Sequence, residues 1–389
     1  MSIFLGILLT LVILLIVVMI HELGHFVTAR LTGMRVEEFG IGIPPRAKSL
    51  FVDKKGTEYT LNYLPIGWFV RILGEDTRDP NAHKKWAFIT KPWISRVIVL
   101  AAWVFMNFVL AFVVFTGLFL YGVTPMAIIP LEWNHSQILP STHEALDASY
   151  LHHDGLTLTP IVGSISEKSG VLSGDIIENI NGVVPKVPQD IINIIQKNIE
   201  VTVLIKRWTE TKNITMLPKD GKVGMQIGYK NLNINKDFIV RYTWIDAIKA
   251  WWNEMIANTR ITYSFLERMV AGLFSPNNKE EHQAAKEMLS GPIGLGSTFV
   301  SIVQNNMPIS IILVMVALLS INLWVVNILP FPALDGGRIV TTTLYALIAF
   351  IPWGKTHFAR IEWMVHTVWF LLLIGLMIYV SGLDILRFF

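Results

Sequence analysis

The chain has 389 residues, of which 52% are hydrophobic and only 16% are charged, and its formal net charge at pH 7 is +3. This composition excludes an ordinary soluble globular enzyme. It predicts a polytopic α-helical membrane protein with a soluble part. The chain contains no cysteine, which excludes disulfides, thiolate metal ligands and a cysteine nucleophile. We expect a lipid bilayer around it and no nucleic-acid partner.

The first apolar segment ends in the pattern H-E-x-x-H, formed by His21, Glu22 and His25. On a helix the two histidines are four residues apart, so both imidazoles project from one face and can hold one zinc ion. Glu22 lies beside them, where it can act as the general base on a water molecule that the metal activates. Polar groups at membrane depth are costly unless they bind something, so the position of the motif predicts a zinc peptidase inside the membrane.

Four segments are long and apolar enough to span a bilayer of roughly 30 Å. They lie at about residues 3–28, 94–120, 308–329 and 362–382, the last ending before Asp384. The apolar stretch 339–351 is too short to span, and we expect a re-entrant or interfacial helix there. The start of the chain lacks a basic region and a small-residue cleavage site, so we interpret it as a retained span and not as a signal peptide.

Basic residues predict the orientation of these spans. Eleven Lys and Arg residues lie from Arg30 to Lys91, whereas the first twenty residues contain none. The positive-inside rule therefore predicts that residues 30–92 and 335–361 are cytoplasmic and that residues 121–306 lie outside, together with both termini. The zinc motif would then lie toward the cytoplasmic side of the membrane.

In the first cytoplasmic loop, the sequence pattern predicts short strands at 38–45 and 58–69, interrupted by Gly and Pro. The segment 62–71 is a candidate for a β-hairpin that dips into the membrane. Open strand edges are not tolerated in lipid, so this hairpin would have to line a protein-walled cavity, where it could pair with an unwound substrate strand. The alternative is a small cytoplasmic β subdomain without a substrate role.

Residues 155–230 predict a compact soluble module, with strands at 161–166 and 201–207 and an amphipathic helix at 188–197. Between them, residues 170–182 read G-V-L-S-G-D-I-I-E-N-I-N-G, with glycines at the turns. This pattern resembles a PDZ domain of the bacterial protease type. The resemblance implies an α+β fold whose groove could accept a peptide by strand addition. The amphipathic, tryptophan-rich segment 243–274 is expected at the membrane interface or, alternatively, packed on the module.

A catalytic zinc site usually has three protein ligands, so two histidines leave it one short. The candidate for the third is Asp335, the only acidic residue between Met288 and Thr356, at the cytoplasmic end of the third span. The prolines before it should break the helix, and the two glycines after it permit a close backbone approach. Asn327 lies at membrane depth and could donate a hydrogen bond to a substrate oxyanion, or alternatively bond carbonyls that the prolines free.

These motifs together resemble the site-2 protease family: H-E-x-x-H in the first span, N-x-x-P-x-P-x-L-D-G in a late span and a PDZ-like module between them. More narrowly, they resemble bacterial intramembrane metalloproteases of the RseP type. The resemblance implies a location in the bacterial cytoplasmic (inner) membrane. It also implies a Zn²⁺ cofactor and a set of roles, namely zinc ligands His21, His25 and Asp335, general base Glu22, substrate contact Asn327, and substrate guidance near Pro65 and Gly67.

The sequence departs from the family pattern in two places. The family usually has Gly-Pro-x-x-Asn in its second span, where this chain has Trp103-Val-Phe-Met-Asn107. Gly67-Trp68 stands where a double glycine is common. Both changes concern helix packing and the substrate gate, not the zinc chemistry. The segment Gly291–Gly294 matches a recurring family segment, and only one PDZ-like module fits, whereas many relatives carry two.

The expected order of segments follows from these patterns. It is a first span with the motif at 1–30, a cytoplasmic loop with the hairpin at 31–92, a second span at 93–121, an extracytoplasmic linker at 122–154, the PDZ domain at 155–230, the tryptophan-rich region at 231–290, a third span at 291–337, a cytoplasmic or interfacial segment at 338–361 and a fourth span at 362–389.

The predicted function is cleavage of the transmembrane segments of single-span membrane proteins, such as anti-sigma factors or signal-peptide remnants, after a first cut outside the membrane. The PDZ-like module would act as a size filter, or bind a peptide in its groove. The alternative is a catalytically silent zinc-binding scaffold or chaperone, which would not need Glu22 beside the metal. A metal transporter would need more intramembrane ligands than His366. An Fe(II) site has similar ligands, but Glu22 favours hydrolytic zinc.

Overall fold

The structure is a computed structural model that describes residues 2–75, 79–126, 135–235, 237–274, 291–305, 307–348 and 354–386. The chain divides into two compact units. One consists of Met1–Tyr121 together with Tyr242–Phe389, and the other of Gly122–Arg241. The predicted tryptophan-rich region extends to residue 290, but residues 275–290 lie outside the described part of the chain.

The helices and strands follow one another along both units. The helices are α1 (Ser2–Leu31), α2 (Trp93–Tyr121), α3 (Thr142–Asp147), α4 (Ile165–Lys168), α5 (Pro188–Lys197), α6 (Trp244–Phe274), α7 (Pro292–Gln304), α8 (Ile309–Ile328), α9 (Asp335–Ile348) and α10 (Gly354–Leu386). The strands are β1 (Val36–Val52), β2 (Glu58–Ile72), β3 (Leu151–His152), β4 (Leu156–Pro160), β5 (Asp175–Ile180), β6 (Val201–Arg207), β7 (Glu210–Met216), β8 (Met225–Tyr229) and β9 (Asn233–Ile234).

Four helices of the described residues are long and apolar enough to cross a membrane. They are Phe4–Leu31, Trp93–Tyr121, Ile309–Ile328 and Met364–Leu386. The four predicted spans are therefore confirmed as helices of the first unit, and the chain is a membrane protein. The predicted interfacial helix begins earlier than expected, at Asp335, and its predicted end at 349–351 lies outside the described residues.

The fourth predicted span is wrong at its end, because α10 continues through Asp384 to Leu386. The carboxylate of Asp384 is buried, and its Oδ2 accepts hydrogen bonds from the backbone N–H groups of Gly291 and Gly294, each at 2.8 Å. These N–H groups lie at the N-terminus of α7, where the helix leaves its first donors unpaired. These hydrogen bonds stabilise the buried carboxylate of Asp384, so helix α10 can continue past this residue.

The helices α1 and α2 approach each other closely beside the H-E-x-x-H motif. A Cβ atom on Gly24 would lie 2.6 Å from the carbonyl oxygen of Ala102 and 2.7 Å from Cγ of Met106. Only glycine fits such a contact without pushing the helices apart. This close packing fixes the position of α2 along α1, and therefore which part of α2 lies beside the histidines of α1.

Strands β1 and β2 form one antiparallel sheet in the first unit, with a turn at residues 53–57. The first part of β1 lies against two stretches of β2, since Phe39 is opposite both Val70 and Tyr59. A Cβ atom on Gly40 would lie 2.2 Å from the Phe69 ring, so a larger residue there would have to displace the Phe69 side chain. The strands predicted at 38–45 and 58–69 are present but longer than predicted. The separate hairpin within 62–71 is wrong, because these residues all belong to β2. Glycines with positive φ, such as Gly42 and Gly67, bend the strands without ending them.

Helix α6 packs against α2 and α8 in the first unit. Its Trp251 is buried and makes edge-to-face contacts with the rings of Phe108 and Phe112 of α2. Trp244 and Trp252 are exposed, as indoles at a membrane interface would be. The tryptophan-rich segment therefore contributes one buried anchor to the span α2.

The second unit contains a five-stranded antiparallel sheet in the order β7-β6-β5-β4-β8. Its core is aliphatic and includes Leu158 of β4, Ile191 of α5 and Val203 of β6. The predicted strand at 201–207 and helix at 188–197 are confirmed. The strand predicted at 161–166 is wrong, because the chain turns at Ser164, whose side chain caps the short helix α4.

Candidate metal centre

Two distant parts of the chain meet in the last third of α1. His21, Glu22 and His25 are buried there, with 6%, 6% and 1% of their surface exposed, and Asp335 at the start of α9 is 5% exposed. The Nε2 atom of His21 lies 3.7 Å from Oδ2 of Asp335. The structure thus brings together the four residues for which the sequence predicts zinc chemistry.

Helix α2 holds both imidazoles in place. The Nδ1 atom of His25 lies 2.7 Å from the carbonyl oxygen of Val99, and the Asn107 amide nitrogen lies 2.9 Å from Nδ1 of His21. Both rings stack on the indole of Trp103, with centroid separations of 4.5 Å for His21 and 3.7 Å for His25. The Val99 carbonyl accepts the Nδ1–H of His25 and leaves its Nε2 free to bind a metal, the arrangement typical of supported histidine ligands. His21 has the same arrangement when its Nδ1–H donates to the backbone of Trp103 or to the oxygen of the Asn107 amide.

These supporting residues explain one departure from the family pattern. Trp103 stands where the family usually has glycine, and its ring forms the surface on which both histidines stack. In the sequence, Trp103 stands out only as a departure from the family pattern, Asn107 as the residue of that pattern that remains, and Val99 does not stand out at all. Their spacing of four residues on one face of α2 was the available signal.

The donor set fits a zinc ion. The Nε2 atom of His25 is buried without a hydrogen-bond partner among the described residues, and such an atom is costly unless it is satisfied. Two ligands bound at about 2.0–2.1 Å to a tetrahedral zinc lie roughly 3.3 Å apart, which is close to the His21–Asp335 separation of 3.7 Å. No His, Asp and Glu cluster in the described ranges is close enough to hold a metal as it stands, so zinc binding requires these donors to move closer together.

Glu22 lies between the helices and the sheet. Its carboxylate is hydrogen-bonded to the backbone of Val70 in β2, and its charged neighbours are Glu75, Asp335 and Arg338. Arg338 is paired with Glu75, with Nη1 and Oε1 2.5 Å apart. This ion pair links the end of the sheet to the helix that begins at Asp335. The roles of Val70, Glu75 and Arg338 were missed from the sequence, because nothing local marks a residue whose partner is tens or hundreds of positions away.

The segment before Asp335 is a tight turn. Helix α8 ends at Ile328, as the following prolines predict, and Ala333 has a left-handed φ of 72°. A Cβ atom on Gly336 would lie 2.3 Å from the carbonyl oxygen of Leu329, and one on Gly337 2.1 Å from that of Phe331. Both glycines are therefore required by the turn, which confirms the expected close backbone approach.

The predicted substrate residues lie on two elements. Asn327 is half-buried in the last turn of α8. Gly67 lies in β2 with a φ of 82°, and a Cβ atom added to it would meet no other atom within 4 Å. Its backbone conformation, and not its surroundings, therefore requires glycine. Pro65 also belongs to β2, but its side chain lies outside the described residues. Among the described contacts, it is Val70 that joins this strand to Glu22.

The comparison with known proteins identifies the class. The family described as Peptidase family M50 matches residues 9–376. The chain therefore belongs to peptidase family M50, the site-2 protease family, and is a zinc metalloprotease with membrane-embedded helices.

Individual relatives cover nearly the whole chain. A protein of Clostridium perfringens is 30% identical over 95% of both chains, and one of Fusobacterium nucleatum is 31% identical over 85% of both; their names place them among the zinc metalloproteases. The zinc metalloprotease RasP of Oceanobacillus iheyensis is 26% identical over 96% of this chain and 97% of its own.

Proposed function

We propose that this protein cleaves peptide bonds within the transmembrane segments of single-span membrane proteins. The observation that carries the proposal is the meeting of a buried His21–His25–Asp335 donor set with Glu22 and the Val70 strand in the last third of a membrane helix. His21, His25 and Asp335 would hold the zinc ion. When bound, zinc polarises the scissile carbonyl and makes water a nucleophile near neutral pH.

The residues around the metal have separate tasks in this proposal. Glu22 takes a proton from the attacking water and returns it to the leaving amine. The Val70 backbone orients its carboxylate through the hydrogen bond. Val99, Asn107 and Trp103 hold the imidazoles in one orientation. Asn327 donates a hydrogen bond to the oxyanion that forms on the substrate carbonyl.

The substrate must lose helical structure before it can be cut. Carbonyls of a transmembrane helix are bonded internally, so an extended segment at membrane depth needs another strand to satisfy its backbone. Strand β2 passes Glu22 and supplies such an edge, and Gly67 and Pro65 guide the segment along it. Gly or Pro in the substrate span lowers the cost of unwinding.

The second unit would act outside the cytoplasm. Its sheet, its helix α5 and the glycine pattern at 170–182 support the assignment of residues 155–230 as a PDZ domain that filters substrates by size or binds a peptide. We infer a bacterial cytoplasmic membrane location, with the unit and both termini outside and the metal centre toward the cytoplasm. The basic residues of 30–92 support this topology. Substrates would enter after another protease removes their outer domain.

The test is cleavage of a tagged single-span substrate, in detergent, by purified wild type, Glu22→Gln and Glu254→Gln. Glu254 is a fully buried carboxyl of α6 that bonds Asn258, so Glu254→Gln controls for loss of a buried charge elsewhere. We expect cleavage by wild type and Glu254→Gln, and none by Glu22→Gln, with one zinc per chain in all three proteins.

Equal cleavage by wild type and Glu22→Gln would overturn the role of Glu22. Zinc-loaded wild type that leaves every substrate intact, including substrates already trimmed on the outer side, would favour the scaffold instead.

A further inference from the structure

His366 is a polar residue near the start of the last span, Met364–Leu386, and has no part in the chemistry described above. Its helix, α10, contains the least buried of the four spans, with 11% of its apolar stretch buried against 28% to 39% in the other three. A histidine in a lipid-facing helix is costly and marks a functional contact by default. The question is therefore what this imidazole does for the molecule.

His366 contacts a backbone group of the turn that leads to Asp335. The N–H of Ala333 donates a hydrogen bond to Nδ1 of His366 at 3.0 Å. Nδ1 must carry its lone pair to accept this bond, so the neutral ring carries its proton on Nε2. Ala333 is two residues before Asp335, and the bond therefore acts directly on the backbone that aims the carboxylate.

The turn needs this support because it is strained. Ala333 has a φ of 72°, a conformation that costs a residue with a Cβ atom and that glycine adopts freely. Such conformations persist only where the surrounding structure determines them. The internal bond of the turn, from the Leu334 N–H to the Phe331 carbonyl at 3.1 Å, does not involve the Ala333 N–H.

A second side chain of the same helix contacts the same turn. The ring of Trp369 lies 5.8 Å from that of Phe331, at an interplanar angle of 40°. Trp369 is three residues after His366, so both side chains project from one face of α10. Two contacts one turn apart hold the segment from Phe331 to Ala333 against the last span.

We propose that His366 is a positioning residue for Asp335, with Trp369 as its packing partner, and that the last span thereby fixes the carboxylate of Asp335. This inference rests on the proposed role of Asp335 as a zinc ligand. Supporting residues of this kind typically change metal affinity or activity by roughly tenfold to a hundredfold when they are removed.

The experiment measures zinc affinity, and the visible spectrum of the Co²⁺-substituted full-length protein, for wild type and variants. We expect His366→Leu to weaken zinc binding by roughly tenfold to a hundredfold and to shift the cobalt bands. His366→Asn keeps an acceptor near the position of Nδ1, and we expect it to bind zinc within about threefold of wild type. The double variant His366→Leu/Ala333→Gly should recover part of the loss, because glycine adopts the turn without support.

The matched control is Tyr379→Leu, which removes a polar group from an exposed position (48% of the residue) of the same helix. It should bind zinc as wild type does. Unchanged zinc affinity and spectrum in His366→Leu overturn the inference. If His366→Leu does not fold, His366→Asn is compared with His366→Gln, which places its acceptor one bond farther away. Asn must then bind zinc more tightly, and equal or reversed affinities overturn the inference.

Asp335→Asn in the same assay separates the two claims. If Asp335→Asn loses zinc while His366→Leu binds zinc as wild type does, only the positioning role of His366 fails. Retention of zinc by Asp335→Asn means that the proposed ligand set itself fails.

Discussion

Two buried aspartates of this chain lie in very different surroundings. Asp175, in the second unit, receives two hydrogen bonds from Arg207, at 2.8 Å and 2.7 Å, and one from the Leu172 N–H. Asp335, in the membrane unit, faces His21 Nε2 at 3.7 Å, beyond hydrogen-bond distance. Asp175 is thus neutralised by Arg207, whereas we propose that Asp335 is neutralised by the zinc ion that it helps to bind.

The contrast separates a carboxylate that stabilises the fold, Asp175, from a carboxylate proposed to bind the metal, Asp335. A carboxylate held by a bidentate arginine has its lone pairs engaged and binds a metal poorly. One that lies beside His21, four residues before His25 on the same helix, belongs to a donor set suited to zinc. The variants below change one aspartate or its surroundings at a time.

The largest effect is expected for Asp335→Asn. The amide cannot supply the negative ligand, so we expect loss of bound zinc and a fall in cleavage of more than about a hundredfold, beyond the usual effect of a supporting residue. Metal analysis and cleavage of a single-span substrate measure both. Asp175→Asn is the matched control and should keep its zinc. Equal zinc content in the two variants would remove the distinction between the aspartates.

A smaller effect is expected from the ion pair beside the centre. Arg338→Met leaves Glu22, Asp335 and Glu75 without the nearby cation, and Glu75→Gln leaves Arg338 without its partner. We expect each change to lower the cleavage rate on the order of tenfold, because an unpaired charge acts strongly where the dielectric constant is low. The double variant removes both charges together and should recover most of the rate. Losses that simply add would mean that the two residues act independently.

The smallest effect is expected for Asp175→Asn, and it should be confined to the second unit. Loss of the charged hydrogen bonds should destabilise the sheet by about 2 kcal/mol. Hydrogen exchange of peptides from β5, β6 and β7, measured in the full-length protein, reports this local change. Faster exchange in α1 or α2 would contradict the confinement of the effect.

The same aspartate gives the second unit a defined pH dependence. Burial by itself would raise the pKa of Asp175, but the hydrogen bonds from Arg207 and Leu172, with the charge of Arg207, hold the pKa below its ordinary value. The stabilisation is therefore complete above the unfolded-state pKa of about 3.9 and is lost as pH falls through the lower, folded-state pKa. In Asp175→Asn this acid-dependent part of the exchange rate should be absent.

The sequence predicts the spans well, because an uninterrupted apolar stretch of about twenty residues is typical of a transmembrane helix. It also predicts the four central residues, since H-E-x-x-H and the lone Asp335 are polar groups in apolar surroundings. It does not predict the course of β1 and β2, because glycines bend these long strands where the pattern indicates breaks. Long-range pairing also leaves no local periodicity to detect.

The supporting residues were the hardest to predict. Trp103 and Val99 look like ordinary apolar residues of a span, and their roles depend on the rotation of α2 against α1. His366 stood out as a polar residue in the fourth span, yet its partner is a backbone N–H, which every residue but proline possesses. Such contacts become visible only when the helices are packed.

The most direct test of the central claim is X-ray absorption at the zinc edge of the purified protein. For wild type we predict a shell of nitrogen and oxygen donors around zinc, with the scattering of two imidazoles. The zinc signal should be lost in Asp335→Asn, whereas Asp175→Asn should show the same shell as wild type. A zinc shell that is unchanged by Asp335→Asn, or one that lacks imidazole scattering, would contradict the assignment of His21, His25 and Asp335 as the metal centre.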